Sequence, residues 1–163
     1  MKTAVIGIGQ SLRGDDATGL EVVRLWQEQY PQSAARVRVE LTELPGSGLL
    51  DLLEGIDAAI LLDAVHSSAA PGTLLRIGPE ELAAFTPDAE SAHGWGVAET
   101  LQLGRSLYPL LAACRISLIG IVGKQFKMGV GLSQTVQEAL PAAAQMLNQE
   151  VRSLLRGKHG AIG

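Results

Sequence analysis

The chain has 163 residues, 47% of them hydrophobic, and a formal net charge of −4. That length and apolar content suit a single domain spanning residues 1–163 with a real core. Lys and Arg are dispersed without a basic run, which argues against nucleic acid as the main partner, and the single cysteine, Cys114, excludes an intrachain disulfide or a multi-cysteine zinc site.

The first strand is TAVIGIG, residues 3 to 9, apolar on both faces as a central strand of a covered parallel sheet should be. It opens the stretch GIGQSLRGDDATG, residues 7 to 19. This begins like a phosphate-binding turn, but Leu12 stands where the third glycine of a dinucleotide fingerprint belongs, and Asp15 and Asp16 would repel a pyrophosphate. Glu40 and Glu43 are the nearest substitutes for the ribose-binding acid of such a fold. A helix runs from about Asp15 to Tyr30, with Leu20, Val23, Trp26 and Tyr30 on one face. Residues 36 to 44, RVRVELTEL, alternate and read as a strand nearer an edge. A short helix is expected over 46–55, a buried strand over 57–65 with Asp63 near its carboxyl end, a short strand over 72–78 and a helix around 79–85. A helix over 94–108 turns Val97, Leu101 and Leu103 to the core, and 115–123 is the last long strand. KQFKMGVG, which follows, reads as a short extension or hairpin. The final helix, about Ser133 to Leu155, carries Val136, Leu140, Ala143, Leu147, Val151 and Leu154 at steps of three and four, with Pro141 marking a kink or a late start. The tail from about residue 156 is expected to be flexible. The first residues lack the apolar segment and cleavage site of a signal peptide, and no window approaches the ~18 apolar residues of a membrane span, so a soluble cytoplasmic protein is expected.

Strands alternating with helices predict a three-layer α/β/α sandwich with a mostly parallel, twisted sheet of about five strands. Ligands of such sheets bind beyond the carboxyl ends of the strands, which points at the Gly7–Asp16 loop and at Asp63. Each candidate there has a plainer reading. Asp15 suits a helix cap, and Asp16 a solvated first-turn acid that could also face the crevice. Asp63 interrupts an apolar strand, where a carboxylate must be hydrogen-bonded, paired or metal-bound. His66 reads as an exposed loop residue, and His93, in SAHGWG, as a cap-region residue or a ligand. Asp16, Asp63 and His93 together would offer two oxygens and one imidazole nitrogen, an open metal site or a paired-carboxylate site. Cys114 reads as a core residue, and no G-x-S-x-G elbow occurs.

The blocks GIGQSLRGDDATG, ILLDAVHSSAAPGT, SAHGWGVAETL, LIGIVG and GLSQTV, in this order and spacing over about residues 3 to 150, resemble the hydrogenase maturation proteases. These are cytoplasmic endopeptidases that trim the C-terminal extension from the large-subunit precursor of nickel–iron hydrogenases. The resemblance implies the sheet sandwich, and a site in which Asp16, Asp63 and His93 cluster, can bind metal and engage the nickel already placed in the substrate. It implies nickel presented by the substrate rather than held by the resting enzyme. The partner would be the precursor subunit; ordinary size and acidic charge lead to the expectation of a monomer, and composition to that of no nucleic-acid or membrane partner. Two positions depart from the family pattern: Asp16 stands where glutamate is usual, and Gln10 where asparagine is common. Aspartate at the first position resembles the branch serving NAD-linked bidirectional hydrogenases. Two other readings stand beside this one: a metal-sensing chaperone that uses the same residues to hold the precursor without cutting it, and a Rossmann-type nucleotide-binding protein.

Overall fold

The computed structural model describes residues 1–43, 47–83, 96–107 and 109–157. Its strands are β1 (Thr3–Ile8), β2 (Arg38–Thr42), β3 (Ala58–Val65), β4 (Leu74–Ile77) and β5 (Arg115–Val122). They form one sheet in the order β2-β1-β3-β5-β4. The pairs β1–β2, β1–β3 and β3–β5 are parallel, while β4 runs antiparallel on the outer edge of β5. The apolar runs read as central strands are the three inner ones, and the alternating run is the edge strand β2, whose Val39 and Glu40 are only half-buried.

The helices are α1 (Thr18–Gln29), α2 (Pro31–Ala34), α3 (Ser47–Leu53), α4 (Pro79–Ala83), α5 (Gly96–Leu107), α6 (Pro109–Ala112) and α7 (Gln134–Arg156). They cover the sheet on both faces because successive strand residues point to opposite sides. Ala4, Ile6, Ala59, Leu61, Ile116 and Leu118 pack against Leu49 and Leu53 of α3, Leu82 of α4 and Val97, Ala98 and Leu101 of α5. Val5, Ile60, Leu62, Ile119 and Ile121 pack against Val22, Val23 and Trp26 of α1 and Val136, Ala143, Leu147 and Val151 of α7. The expected three layers are therefore present. Polar ties pin α7 in place: Trp26 Nε1 donates to Asn148 Oδ1 at 3.3 Å, and Glu150 accepts from Arg76 of β4 at 2.9 and 3.0 Å and from Ser117 Oγ of β5 at 2.8 Å.

Four expectations change. The first helix begins with a single 3-10 turn, Gly14–Ala17, before α1 proper. Residues 124–131 form neither a strand extension nor a hairpin but an irregular loop. α7 starts at Gln134, capped by the Ser133 side chain accepting from Val136 N, and runs through Pro141, which marks no late start. Arg156 still belongs to α7, so the tail is shorter than read, and 158–163 lie outside the described residues, as does the side chain of Leu103.

Gly19 sets how close α1 comes to the sheet. A Cβ there would collide with the carbonyl oxygens of Ile8, at the carboxyl end of β1, and Leu62, in the carboxyl half of β3. Only glycine lets the helix start against both strands, which carries the preceding 3-10 turn and its two aspartates over the carboxyl edge of the sheet. No helix among the described residues is long and apolar enough to cross a membrane.

Candidate active site at the carboxyl edge of the sheet

The loop from Gly9 to Asp16 uses its backbone donors on the protein itself. Gly9 N donates to Thr42 O, Gln10 N to Asp16 O, Arg13 N to Gln10 O and Asp16 N to Arg13 O, at 3.1 to 3.2 Å. Gly14 N donates to Val130 O at 3.0 Å and Asp15 N to Gln125 O at 2.7 Å. Ser11 N and Oγ both donate to Glu43 Oε1, at 2.6 and 2.7 Å. A phosphate cradle needs such N–H groups free and pointing at the ligand. Here seven of the eight, all but that of Leu12, are spent on the protein, and Glu43, the candidate ribose acid, is the clamp that holds the loop to the end of β2. The phosphate-like turn is a structural loop, and the nucleotide-binding reading loses its support.

Asp15 is not the cap of its own helix. Its carboxylate is fully buried and reaches across the chain. Oδ2 accepts from Lys124 N at 2.7 Å, Gln125 N at 3.0 Å and Ser133 Oγ at 2.8 Å, and Oδ1 accepts from Ser133 N at 2.7 Å. Burial opposes ionisation, but the donors from Gln125, Lys124 and Ser133 outweigh it and hold the carboxyl below its ordinary value. Asp15 thus fixes the loop after β5 and supports the Ser133 cap of α7. Its partners lie 109 to 118 residues away in sequence, beyond the reach of local cap reasoning.

Asp16, the next residue, turns the other way. Its Oδ1 lies 2.8 Å from His66 Nε2 on the loop leaving β3. The side chain of Asp16 is 20% exposed and that of His66 51%. The His66 ring stacks on Phe126, with centroids 3.7 Å apart and planes 16° from parallel. Asp63 lies on β3 three residues before His66, in register with Gly120 of β5, and its Oδ1 accepts from Ala64 N at 2.9 Å. Burial is the main force on its carboxyl, opposed by that bond and reinforced by the charge of Asp16, and its pKa is pushed up to about 7. By strand alternation Asp63 shares the face of Leu61 and Val65, the face covered by α3, α4 and α5.

The structure brings the charge of Asp16 to bear on Asp63 and adds His66, which reads in the sequence as an exposed loop residue. The signal that could have found it is its place three residues beyond Asp63, on the strand end that the crevice rule already singles out. His93 lies outside the described residues. Among the described residues no three His, Cys, Asp or Glu side chains are grouped to hold a metal ion. Cys114 is buried and its thiol is pushed up to about 11, mainly by burial, so it is a core residue and no nucleophile. A hollow of about 530 Å³ lined by Lys2, Arg36, Arg38 and Glu54 opens at the amino ends of the strands, opposite the carboxylates, and is no part of this site.

The fold has counterparts among known proteins. The chain is 29% identical over 153 residues to the hydrogenase 2 maturation protease of Escherichia coli, covering 90% of this chain and 89% of that protein. It is similar in structure to the hydrogenase maturating endopeptidase HybD from E. coli, with a TM-score of 0.70 and 25% identity over 94% of this chain and 93% of the other. It is equally similar to a nickel–iron hydrogenase maturation protease, HybD, from Thermococcus kodakarensis, with a TM-score of 0.69 and 25% identity over 93% of this chain and 99% of the other. The family model for hydrogenase maturation proteases matches residues 21–150, most of the chain. With sequence, fold and family pattern in agreement over nearly the whole length, the chain belongs to the hydrogenase maturation proteases, a family of endopeptidases.

Proposed function

We propose that this protein removes the C-terminal extension of a nickel–iron hydrogenase large-subunit precursor after nickel insertion, and that Asp16, Asp63 and His93 recognise the nickel held in that precursor. The observation that carries this reading is the approach of Asp16 to Asp63 at the carboxyl edge of the sheet, in a chain of this family. Two carboxylates and an imidazole suit a divalent ion of borderline softness and leave coordination positions open for thiolates of the substrate. A carboxyl as desolvated as Asp63, with Asp16 adding repulsion, is a place where an arriving cation is electrostatically welcome. His93 stands three residues before α5, and α5 packs on the sheet face that Asp63 shares.

The surroundings also suit a protein substrate. Leu12 and Met128 are each 69% exposed, and their loops are joined by Gly129 N donating to Leu12 O at 2.8 Å. Arg13, Lys124 and Lys127 lie exposed on the same two loops of an otherwise acidic chain. Docking on the nickel orients the scissile bond beside the site, a proximity effect. Water then adds to the scissile carbonyl, activated by a carboxylate as general base or by the nickel, and the new amine departs with a proton. Asp16, in place of the usual glutamate, supports a role in the branch serving NAD-linked bidirectional hydrogenases. The test is incubation with the precursor of such a hydrogenase, nickel-loaded and nickel-free. Loss of a C-terminal peptide from the loaded precursor supports the reading. Stable binding to the loaded precursor without any product supports a non-cleaving chaperone instead.

A further inference from the structure

We infer that His66, braced by Phe126, is a positioning residue that holds the Asp16 carboxylate in the orientation that meets the nickel. This deepens the proposed function and rests on its assignment of Asp16. Asp16 has two oxygens, and His66 Nε2 takes one of them, Oδ1, at 2.8 Å. A carboxylate only accepts, so Nε2 carries the hydrogen of this bond. The bond stops rotation of the carboxylate and leaves Oδ2 as the atom free to coordinate. Ligating carboxylates are commonly held by such an outer hydrogen bond, and its loss weakens metal affinity about 10–100-fold.

The imidazole is itself held. With half its side-chain surface exposed, burial alone does not fix it. Its ring lies flat on Phe126, and Phe126 rests against the backbone of Gly123, where a Cβ would run into the phenyl ring. The backbone just before Phe126 is gripped by Asp15, which accepts from Lys124 N and Gln125 N and donates its own N–H to Gln125 O. A closed circuit results. Asp15 holds the loop, the loop presents Phe126, Phe126 braces His66, and His66 orients Asp16, the neighbour of Asp15. The paired aspartates are thus the two ends of one brace. This also bears on the departure from glutamate: an aspartate carboxylate lies closer to the backbone, where an imidazole from the β3 loop can reach it.

The experiment compares the full-length protein with His66→Phe, which keeps a ring for Phe126 but removes the donor, His66→Gln, which keeps a donor but loses the ring, Phe126→Ala, and Asp16→Ala as reference. Two quantities are read: Ni²⁺ affinity by calorimetry, and KM and kcat for nickel-loaded precursor. Thermal midpoints within a few degrees of wild type verify folding. His66→Phe should weaken Ni²⁺ binding at least tenfold and raise KM more than it lowers kcat, with His66→Gln recovering part of the loss and Phe126→Ala falling between. If free Ni²⁺ binds too weakly to titrate, the KM series carries the same comparison. If Asp16→Ala abolishes recognition while His66→Phe behaves as wild type, the brace is refuted and the proposed site stands. If His66→Gln is as impaired as Asp16→Ala, His66 touches the metal itself and the positioning role is refuted. If Asp16→Ala changes nothing, the site assignment fails and the brace with it.

Discussion

Replacing Asp63 by asparagine tests whether the site carboxyl is as desolvated as the geometry implies. In the folded protein this carboxyl titrates near 7, against an ordinary 3.8. Below about pH 4 it is neutral in both states and carries no electrostatic penalty. Between about pH 4 and 7 the unfolded chain ionises first, so the wild-type protein loses about 1.4 kcal/mol of stability per pH unit from this group. Above pH 7 both states are ionised and the penalty levels at about 4 kcal/mol. Asparagine does not titrate, so whatever its amide gains or loses by contact is the same at every pH. The difference in unfolding free energy between Asp63→Asn and wild type should therefore shift in favour of the variant by about 2–3 kcal/mol from pH 5 to pH 8, and then flatten. Urea titrations of both proteins at pH 5, 6, 7 and 8 measure it, and equal m-values verify a common unfolded reference. A difference constant within 0.5 kcal/mol across that range would refute the desolvated carboxyl. Adding Asp16→Asn should lower the pH at which the difference flattens by only a small step, because burial and not Asp16 is the larger cause.

Four further outcomes follow from the structure and the proposed function. Asp15→Ala strands the buried Ser133 N–H and leaves two loop N–H groups to water, which should destabilise the fold by about 2–4 kcal/mol in denaturant titrations. Because the Asp15 carboxyl is held below its ordinary value, its contribution is complete at neutral pH and lost as pH falls below about 4, so wild-type and Asp15→Asn stabilities should converge in acid. Gly19→Ala gains helix propensity yet drives a methyl group into the carbonyls of Ile8 and Leu62, and a calorimetric midpoint lowered by about 5–10 °C is expected; an unchanged or raised midpoint would contradict the close approach. His93→Ala should abolish cleavage of nickel-loaded precursor, followed by mass spectrometry, while leaving the midpoint within a few degrees of wild type.

The strands were legible because their chemistry is local. TAVIGIG, DAAILLDAV and RISLIGIVG are apolar on both faces, and each became an inner strand covered by helices on either side. The long repeat from Val136 to Leu154 likewise reported a helix packed along one side. The antiparallel direction of β4 was not legible, since four edge residues carry no mark of direction. The chain beyond β5 misled because KQFKMGVG looks extendable. Asp15 takes the N–H groups of Lys124 and Gln125 that a strand would have used in a ladder. Asp63 was readable as a candidate because a carboxylate amid buried aliphatics needs a reason. His66 was not, because exposure is the ordinary state of a loop histidine and its partners, Asp16 and Phe126, are brought to it only by the fold. Asp15 reads like Asp16 in sequence, and only the tertiary structure separates the one that braces from the one that faces the crevice.

The central claim is that this enzyme cuts a hydrogenase precursor when nickel is in place, through Asp16, Asp63 and His93. Its most direct test is mass spectrometry of a matched large-subunit precursor, nickel-loaded and nickel-free, incubated with the wild-type protein and with Asp16→Ala. Loss of a C-terminal peptide only from the loaded precursor, and only with the wild-type protein, is the result expected. Cleavage of both precursors, or undiminished cleavage by Asp16→Ala, would contradict nickel recognition at this site.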